Sequence, residues 1–172
     1  MFNIKQHLID RYVDLNIHKP HTTNTSATFM LYNLSKQLVG WQRYSPLQPH
    51  LCSNDLNGRY YTYRSAQQLA IFGFETYNIN LSRIFITEGI FDAVRITRHH
   101  CCALALLTNS PNSSMLNLLS CLPNKITVII DNDKGGELLY KKTKSVTSSF
   151  ITPPAKDLGE CDEAFITTIL KV

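Results

Sequence analysis

From residue 81 onward the chain repeats one pattern four times, a short apolar run followed by an amphipathic stretch. RIFITEG precedes FDAVRITRHH, and CALALLTN precedes SSMLNLLSCL. KITVIIDND then precedes GGELLYKKTK, and SSFITPP precedes DEAFITTILKV. Short apolar runs rich in β-branched residues read as buried strands, and the longer stretches between them as helices. Strands that alternate with helices are expected to lie parallel, because each return to the sheet is made by a helical crossover. The expected fold class is therefore α/β, a parallel sheet of about four strands flanked by helices. This unit is assigned to residues 79–172.

Residues 1–78 follow a different rule and read as a small α+β subdomain. The first fifteen residues place Phe2, Ile4, Leu8, Ile9, Tyr12, Val13 and Leu15 on one broad face, which predicts an amphipathic helix. Lys5, Asp10 and Arg11 interrupt it, so it lacks the apolar core of a signal peptide. Residues 16–26 are polar and aperiodic and are expected to form a linker or loop. ATFMLYNLS and QLVGWQRYS predict two strands joined by a turn near Lys36, and RYYTYR, after a loop over 45–58, predicts a third. Residues 66–77 are expected to be a short helical or irregular connection.

In an open parallel sheet, ligands collect beyond the carboxyl ends of the strands. The acidic residues fall there. Glu88-Gly89-Ile90-Phe91-Asp92 follows the first strand of the α/β half, Asp131-Asn132-Asp133-Lys134-Gly135-Gly136 the third, and Lys156-Asp157 the fourth. Asp131 and Asp133 are two apart, so in extended chain their side chains point the same way. Gathered carboxylates repel unless a cation sits among them. Oxygen ligands of this kind suit Mg²⁺, or Mn²⁺ in its place. Gly89 is read as allowing a sharp turn, and Gly135 and Gly136 as releasing the chain from its strand. Taken singly each feature has an ordinary alternative. Asp92 can be a helix-start acid, Asp-x-Asp a turn or cap, and Asp157 or Asp162 the start of the last helix.

Composition narrows the remaining classes. Seventeen basic against thirteen acidic residues give a net charge of +4 over 172 residues, which permits a polyanionic partner without requiring one. Five cysteines without a Cys-x-x-Cys pair fit reduced thiols better than a disulfide framework, and no zinc is expected. No apolar run reaches the ~20 residues of a membrane span, so no membrane partner and a cytoplasmic location are expected. His99-His100 lacks a third ligand at a familiar zinc spacing. Gly135-Gly136 is not a Walker loop, because the lysine-serine ending is missing.

Glu88-Gly89-x-x-Asp92 followed by Ile130-Asp131-Asn132-Asp133-x-x-Gly136 resembles the Toprim signature shared by bacterial-type primases, topoisomerases and several nucleases. The likeness covers residues 81–165. Leu38-Val39-Gly40-Trp41-Gln42-Arg43 is similar to the glycine-plus-arginine strand that precedes Toprim in bacterial and phage primases. Gly58-Arg59-Tyr60-Tyr61-Thr62-Tyr63-Arg64 and Ile71-Phe72-Gly73-Phe74 resemble the elements that follow it there.

The resemblance implies the RNA polymerase core of a DNA primase, with a basic N-terminal subdomain facing the Toprim carboxylates. On it, Glu88 is the acid/base residue or a metal ligand, Asp131 and Asp133 bind the divalent ions, and Asp92 supports the site through a water or a second metal. Arg43, Arg59, Arg64, Lys134, Lys156 and Asp157 are implied as contacts to template or to the incoming ribonucleoside triphosphate. The implied activity is metal-dependent synthesis of short RNA primers on single-stranded DNA. The alternatives are a Toprim nuclease and a non-catalytic DNA-binding replication factor. The sequence shows no zinc-binding module and no helicase domain, and its Lys156-Asp157 motif lacks the usual Asn. This implies a core from a phage or mobile element that works with a helicase or a separately encoded zinc module. Trp41, Tyr44, Tyr60, Tyr61 and Tyr63 are candidates to stack on unpaired bases. Their ordinary alternative is core or sheet surface.

Overall fold

The computed structural model describes residues 2–52, 54–65 and 68–171. The chain forms two compact units, Met1–Glu75 and Thr76–Val172.

In the first unit the N-terminal segment is two short helices, α1 (Ile4–Asp10) and α2 (Leu15–His18). The single helix expected over residues 1–15 breaks because two caps compete within it. Asn3 caps α1, accepting from Lys5 and Gln6 N–H, while Asp14 accepts from Asn16 and Ile17 N–H and starts α2. Between them Tyr12 takes a left-handed conformation with φ of 65°. Ile4, Leu8 and Val13 are buried, whereas Ile9 and Tyr12 are exposed. Residues 16–26, expected to be loop, hold α2 and the two-residue strand β1 (His21–Thr22).

An antiparallel sheet of order β1-β2-β3-β4 follows, with β2 (Ala27–Tyr32), β3 (Leu38–Tyr44) and β4 (Tyr60–Arg64). Lys36 turns the β2–β3 hairpin with φ of 62°, as the sequence places it. Alternation along β2 buries Ala27, Phe29 and Leu31. Phe29 meets Phe72 edge to face at 5.8 Å. Gly40 is required by close approach, since a β-carbon there would lie 2.3 Å from Tyr63 O. Of the connection at 66–77, residues 66 and 67 lie outside the described residues. The rest is irregular, with a bridge at Phe72.

The second unit is the α/β half. Strands β5 (Arg83–Thr87), β6 (Ala103–Ala105), β7 (Lys125–Ile129) and β8 (Ser149–Ile151) form a parallel sheet of order β6-β5-β7-β8. Helices α3 (Ile90–Thr97), α4 (Ser113–Ser120), α5 (Lys134–Thr143) and α6 (Glu163–Leu170) alternate with them. A 3-10 turn at Leu158–Glu160 precedes α6. The central strands are apolar because both faces are covered, with Ile84, Ile86, Leu104 and Val128 fully buried. This is the α/β class expected from the alternation. Among the described residues no helix is long and apolar enough to cross a membrane.

One polar tie joins α3 to α6. Arg95, buried in α3, donates from Nη2 to Cys161 O at 2.8 Å, and its Nη1 lies 3.2 Å from Glu163 Oε2. The other carboxylate oxygen of Glu163 is 2.7 Å from His99 Nε2. Glu163→Ala would take the carboxylate from a buried guanidinium. We expect a loss of about 1–2 kcal/mol, below the usual cost of breaking a buried pair because Glu163 is half exposed. Urea unfolding of the variant checks this.

Candidate active site

The order β6-β5-β7-β8 fixes where a site can form. The chain runs from β5 out to β6 and then returns to the other side of β5 for β7. This reversal opens a crevice at the carboxyl ends of β5 and β7. Glu88 is the first residue after β5, and Asp131 the second after β7.

Hydrogen bonds to the backbone hold the loops that carry these side chains. Thr87 Oγ1 donates to Gly89 O at 2.9 Å, and Leu107 N donates to Glu88 O at 2.9 Å. Ile130 N donates to Ile151 O, and Asn132 N to Lys156 O at 2.8 Å, tying the Asp131 loop to the segment after β8. Asp133 is the N-cap of α5, where its Oδ1 accepts from Gly136 N at 3.0 Å. Asp157 caps the 3-10 turn by accepting from Glu160 N at 3.1 Å. Both aspartates thus serve as caps as well as carrying charge.

The electrostatics show which acids share the site. Burial, then Asp131 and Asp133, pushes Glu88 up from 4.5 to about 7. Burial, then Asp157 and Asp133, pushes Asp131 up from 3.8 to about 6, with Lys156 opposing. Glu88, Asp131, Asp133, Asp157 and Lys156 therefore act on one another across the carboxyl edge. Asp92 is buried in the first turn of α3, its Oδ2 3.2 Å from the place of a Gly89 β-carbon. Gly89 has extended backbone, with φ of −105°, so it makes room for this carboxylate rather than turning sharply. Lys134 opens α5 and, with Asp131, Asp133, Glu137, Tyr140 and Lys141, borders an open hollow of about 420 Å³.

The two glycines after Asp133 lie inside α5, so they do not release the chain from a strand; they are needed for space. A β-carbon on Gly135 would meet Asp133 Oδ1 at 3.0 Å, Asn109 Nδ2 at 3.1 Å and Glu88 Oε2 at 3.4 Å. Polar atoms from three loops thus surround one small cradle. One on Gly136 would lie 1.9 Å from Asp131 O.

Asn109 escaped the sequence reading. It lies four residues beyond β6, so the strand-end rule that found the acids also covers it. Its loop is bent by Leu107, which has φ of 59°. Asn109 brings a neutral donor among carboxylates, which suits a phosphate oxygen. Asn109→Ala is expected to lower any phosphoryl-transfer activity of this site roughly a hundred- to a thousand-fold, as for removal of one preorganised donor, and steady-state kinetics would check it.

The donor set fits a hard divalent cation. Among the described residues no three His, Cys, Asp or Glu side chains stand close enough to hold one ion directly. Mg²⁺ binds through one or two carboxylates and keeps several waters, so it does not need such a cage. Asp131 and Asp133 are the residues that would hold it.

The three candidate arginines, Arg43, Arg59 and Arg64, belong to the first unit. Arg43 Nη2 donates to Leu56 O and Arg59 Nε to Gln48 O at 3.4 Å, so both brace the loop over 45–58. Arg64 ends β4 and is exposed.

No family model matches the sequence, and no curated protein matches it in sequence. Solved structures do match in fold. The primase fragment of the bacteriophage T7 primase-helicase protein superposes with a TM-score of 0.65 at 14% identity, over 91% of this chain and 67% of that one. The DnaG primase catalytic domain bound to ssDNA gives 0.65 at 17% identity, over 97% and 60%. The RNA polymerase domain of Mycobacterium tuberculosis primase DnaG gives 0.64 at 12%, over 98% and 65%. The fold is that of primase catalytic cores, and the chain spans about 60% of the length of the DnaG catalytic domain.

Proposed function

We propose that the chain is a primase-type nucleotidyltransferase core that makes short RNA primers on single-stranded DNA. The observation that carries this reading is the meeting of Glu88, Asp133 and Asn109 around Gly135, with Asp131 in electrostatic contact, at the switch point of a primase-core fold.

Each residue has a task that follows from its surroundings. Glu88, whose Oε2 borders the Gly135 cradle, would take the proton of an attacking hydroxyl. Asp131 and Asp133 would hold Mg²⁺ or Mn²⁺, which when bound neutralises charge on the transferring phosphate. Lys156, beside Asp131, and Lys134, at the head of α5, offer positive charge to the triphosphate. Asn109 donates to a phosphate oxygen. Arg64, with Arg59 and Arg43 at the loop they brace, meets template phosphates.

The similar structures support the choice of partners. One is a DnaG domain bound to ssDNA, and another belongs to a primase-helicase protein. Single-stranded DNA, ribonucleoside triphosphates and a helicase are the partners we propose. A phage or mobile-element origin, and a zinc-binding module supplied separately, belong to the same reading.

The test is RNA synthesis on single-stranded DNA with labelled ribonucleotides and Mg²⁺ or Mn²⁺. Short RNA products that vanish in Asp131→Asn support the reading. Metal-dependent cutting of the template without synthesis turns it to a nuclease, in which the same carboxylates activate water. Neither activity, even with a helicase and a zinc-binding module added, overturns it in favour of a binding protein.

A further inference from the structure

The antiparallel sheet of the first unit buries one face and leaves the other open. Phe29, Leu31, Gln42 and Tyr44 are on the buried side. This removes Tyr44 from the aromatic candidates, along with Tyr60, whose ring lies 5.2 Å from that of Tyr44. On the other side, register aligns Met30 with Trp41, Trp41 with Tyr63, and Arg43 with Tyr61.

The three aromatic rings on that side form one surface. Trp41 stacks on Tyr63 with centroids 5.6 Å apart and planes at 25°, and lies 5.4 Å from Tyr61. The Arg43 guanidinium lies 5.7 Å from the Tyr61 ring centre. Tyr63 is 48% exposed and Leu38, on the neighbouring strand, 60%. Cross-strand aromatic pairs do stabilise sheets, but that alone does not call for a stack of two half-buried rings, Trp41 and Tyr61, that ends in the exposed ring of Tyr63.

Charge favours one kind of occupant. β2, β3 and β4 contain no acidic residue, while Arg43 lies against the stack. Flat π-faces beside a guanidinium, on strands without carboxylates, suit unpaired bases joined by phosphates.

We propose that the face formed by Trp41, Tyr61 and Tyr63 is a base-stacking platform for single-stranded DNA, with Arg43 meeting its phosphates. This rests on the reading that the chain works on a single-stranded template, and adds where unpaired bases are held.

Trp41 is the only tryptophan, so its emission reports on this face. The full chain is titrated with oligothymidylate in the absence of metal. We expect saturable quenching, weakened roughly ten-fold by Tyr63→Leu and changed less than about two-fold by Tyr63→Phe. Leu keeps apolar contact with Trp41 but has no ring, and Tyr61→Leu gives the same reading should the first variant fail to fold. Unchanged affinity in folded leucine variants overturns the platform. So does oligonucleotide binding, seen by anisotropy of a labelled strand, that leaves Trp41 emission untouched. An emission change driven by protein concentration alone assigns the face to a second copy and also overturns it. Quenching that persists in Asp131→Asn supports the platform independently of catalysis. RNA synthesis without quenching overturns the platform alone, and quenching without synthesis overturns the catalytic reading alone.

Discussion

Asp131→Asn is expected to abolish RNA synthesis by about a thousand-fold or more and, in the absence of metal, to make the protein more stable above neutral pH. The first effect follows from removing a charge that would hold a divalent ion. Several kcal/mol of charge stabilisation in the transition state are lost, and each ~1.4 kcal/mol is worth about ten-fold in rate. The second follows from the same charge without its cation. Glu88 and Asp131 are raised to about 7 and about 6, so the folded chain keeps protons that the unfolded chain has already released. Their contribution to stability is present below the ordinary carboxylate range and is lost as pH rises through the raised values. Wild-type stability without metal therefore falls between about pH 4 and pH 7. Removing Asp131 removes its own share and part of the push on Glu88. Both groups are partly exposed, so after solvent screening the gain is on the order of 1 kcal/mol, about 2–4 °C in Tm. Melting curves of both proteins at pH 5 and pH 8, with and without Mg²⁺, read it directly. Added Mg²⁺ should raise the wild-type Tm most at pH 8 and leave the variant nearly unmoved. A variant that melts below wild type at pH 8 without metal would show that Asp131 carries no such strain.

The parts of this arrangement that were legible in the sequence are those set by periodicity. Alternating apolar runs gave four parallel strands, and the strand-end rule then led to Glu88, Asp131, Asp133 and Asp157 before any contact was known. Local competition was harder to see. Asp14 reads as one more polar residue on an amphipathic helix, yet its capping bonds split that helix in two. Asp133 reads from sequence either as a ligand or as a cap, and its bond to Gly136 N–H makes it a cap. Asn109 was missed because it is uncharged and sits in a loop whose path depends on the turn at Leu107. The aromatic residues of β3 and β4 could be counted but not sorted, since assigning Trp41, Tyr61 and Tyr63 to one face needs the register between strands. What escaped was tertiary, resting on a close approach or a strand pairing that no single segment encodes.

Gly136 carries the clearest case of such an approach, and Gly136→Ala is expected to destabilise the protein by about 3 kcal/mol and to disable the site with it. A β-carbon at this position would lie 1.9 Å from Asp131 O and 2.8 Å from both the carbonyl carbon and the nitrogen of Asp131. All three are backbone atoms, so no side chain can rotate away, and either α5 or the Asp131 loop must move. Forced overpacking of this kind usually costs about 1–3 kcal/mol, and a rigid clash falls at the upper end. Neither element can move alone. Gly136 N–H binds the Asp133 carboxylate, and Asn132 N–H binds Lys156 O, so a shift pulls on the cap and on the segment after β8 together. Gly135→Ala is the informative contrast. Its β-carbon would meet only side-chain atoms, at 3.0 Å or more, from Asp133, Asn109 and Glu88. That variant is expected to stay within about 1 kcal/mol of wild type, because alanine is the better helix former, while filling the cradle in which the polar groups meet. Urea unfolding and RNA synthesis measured on both variants separate the roles. Gly136→Ala should lose stability and activity together, whereas Gly135→Ala should keep its stability and lose activity.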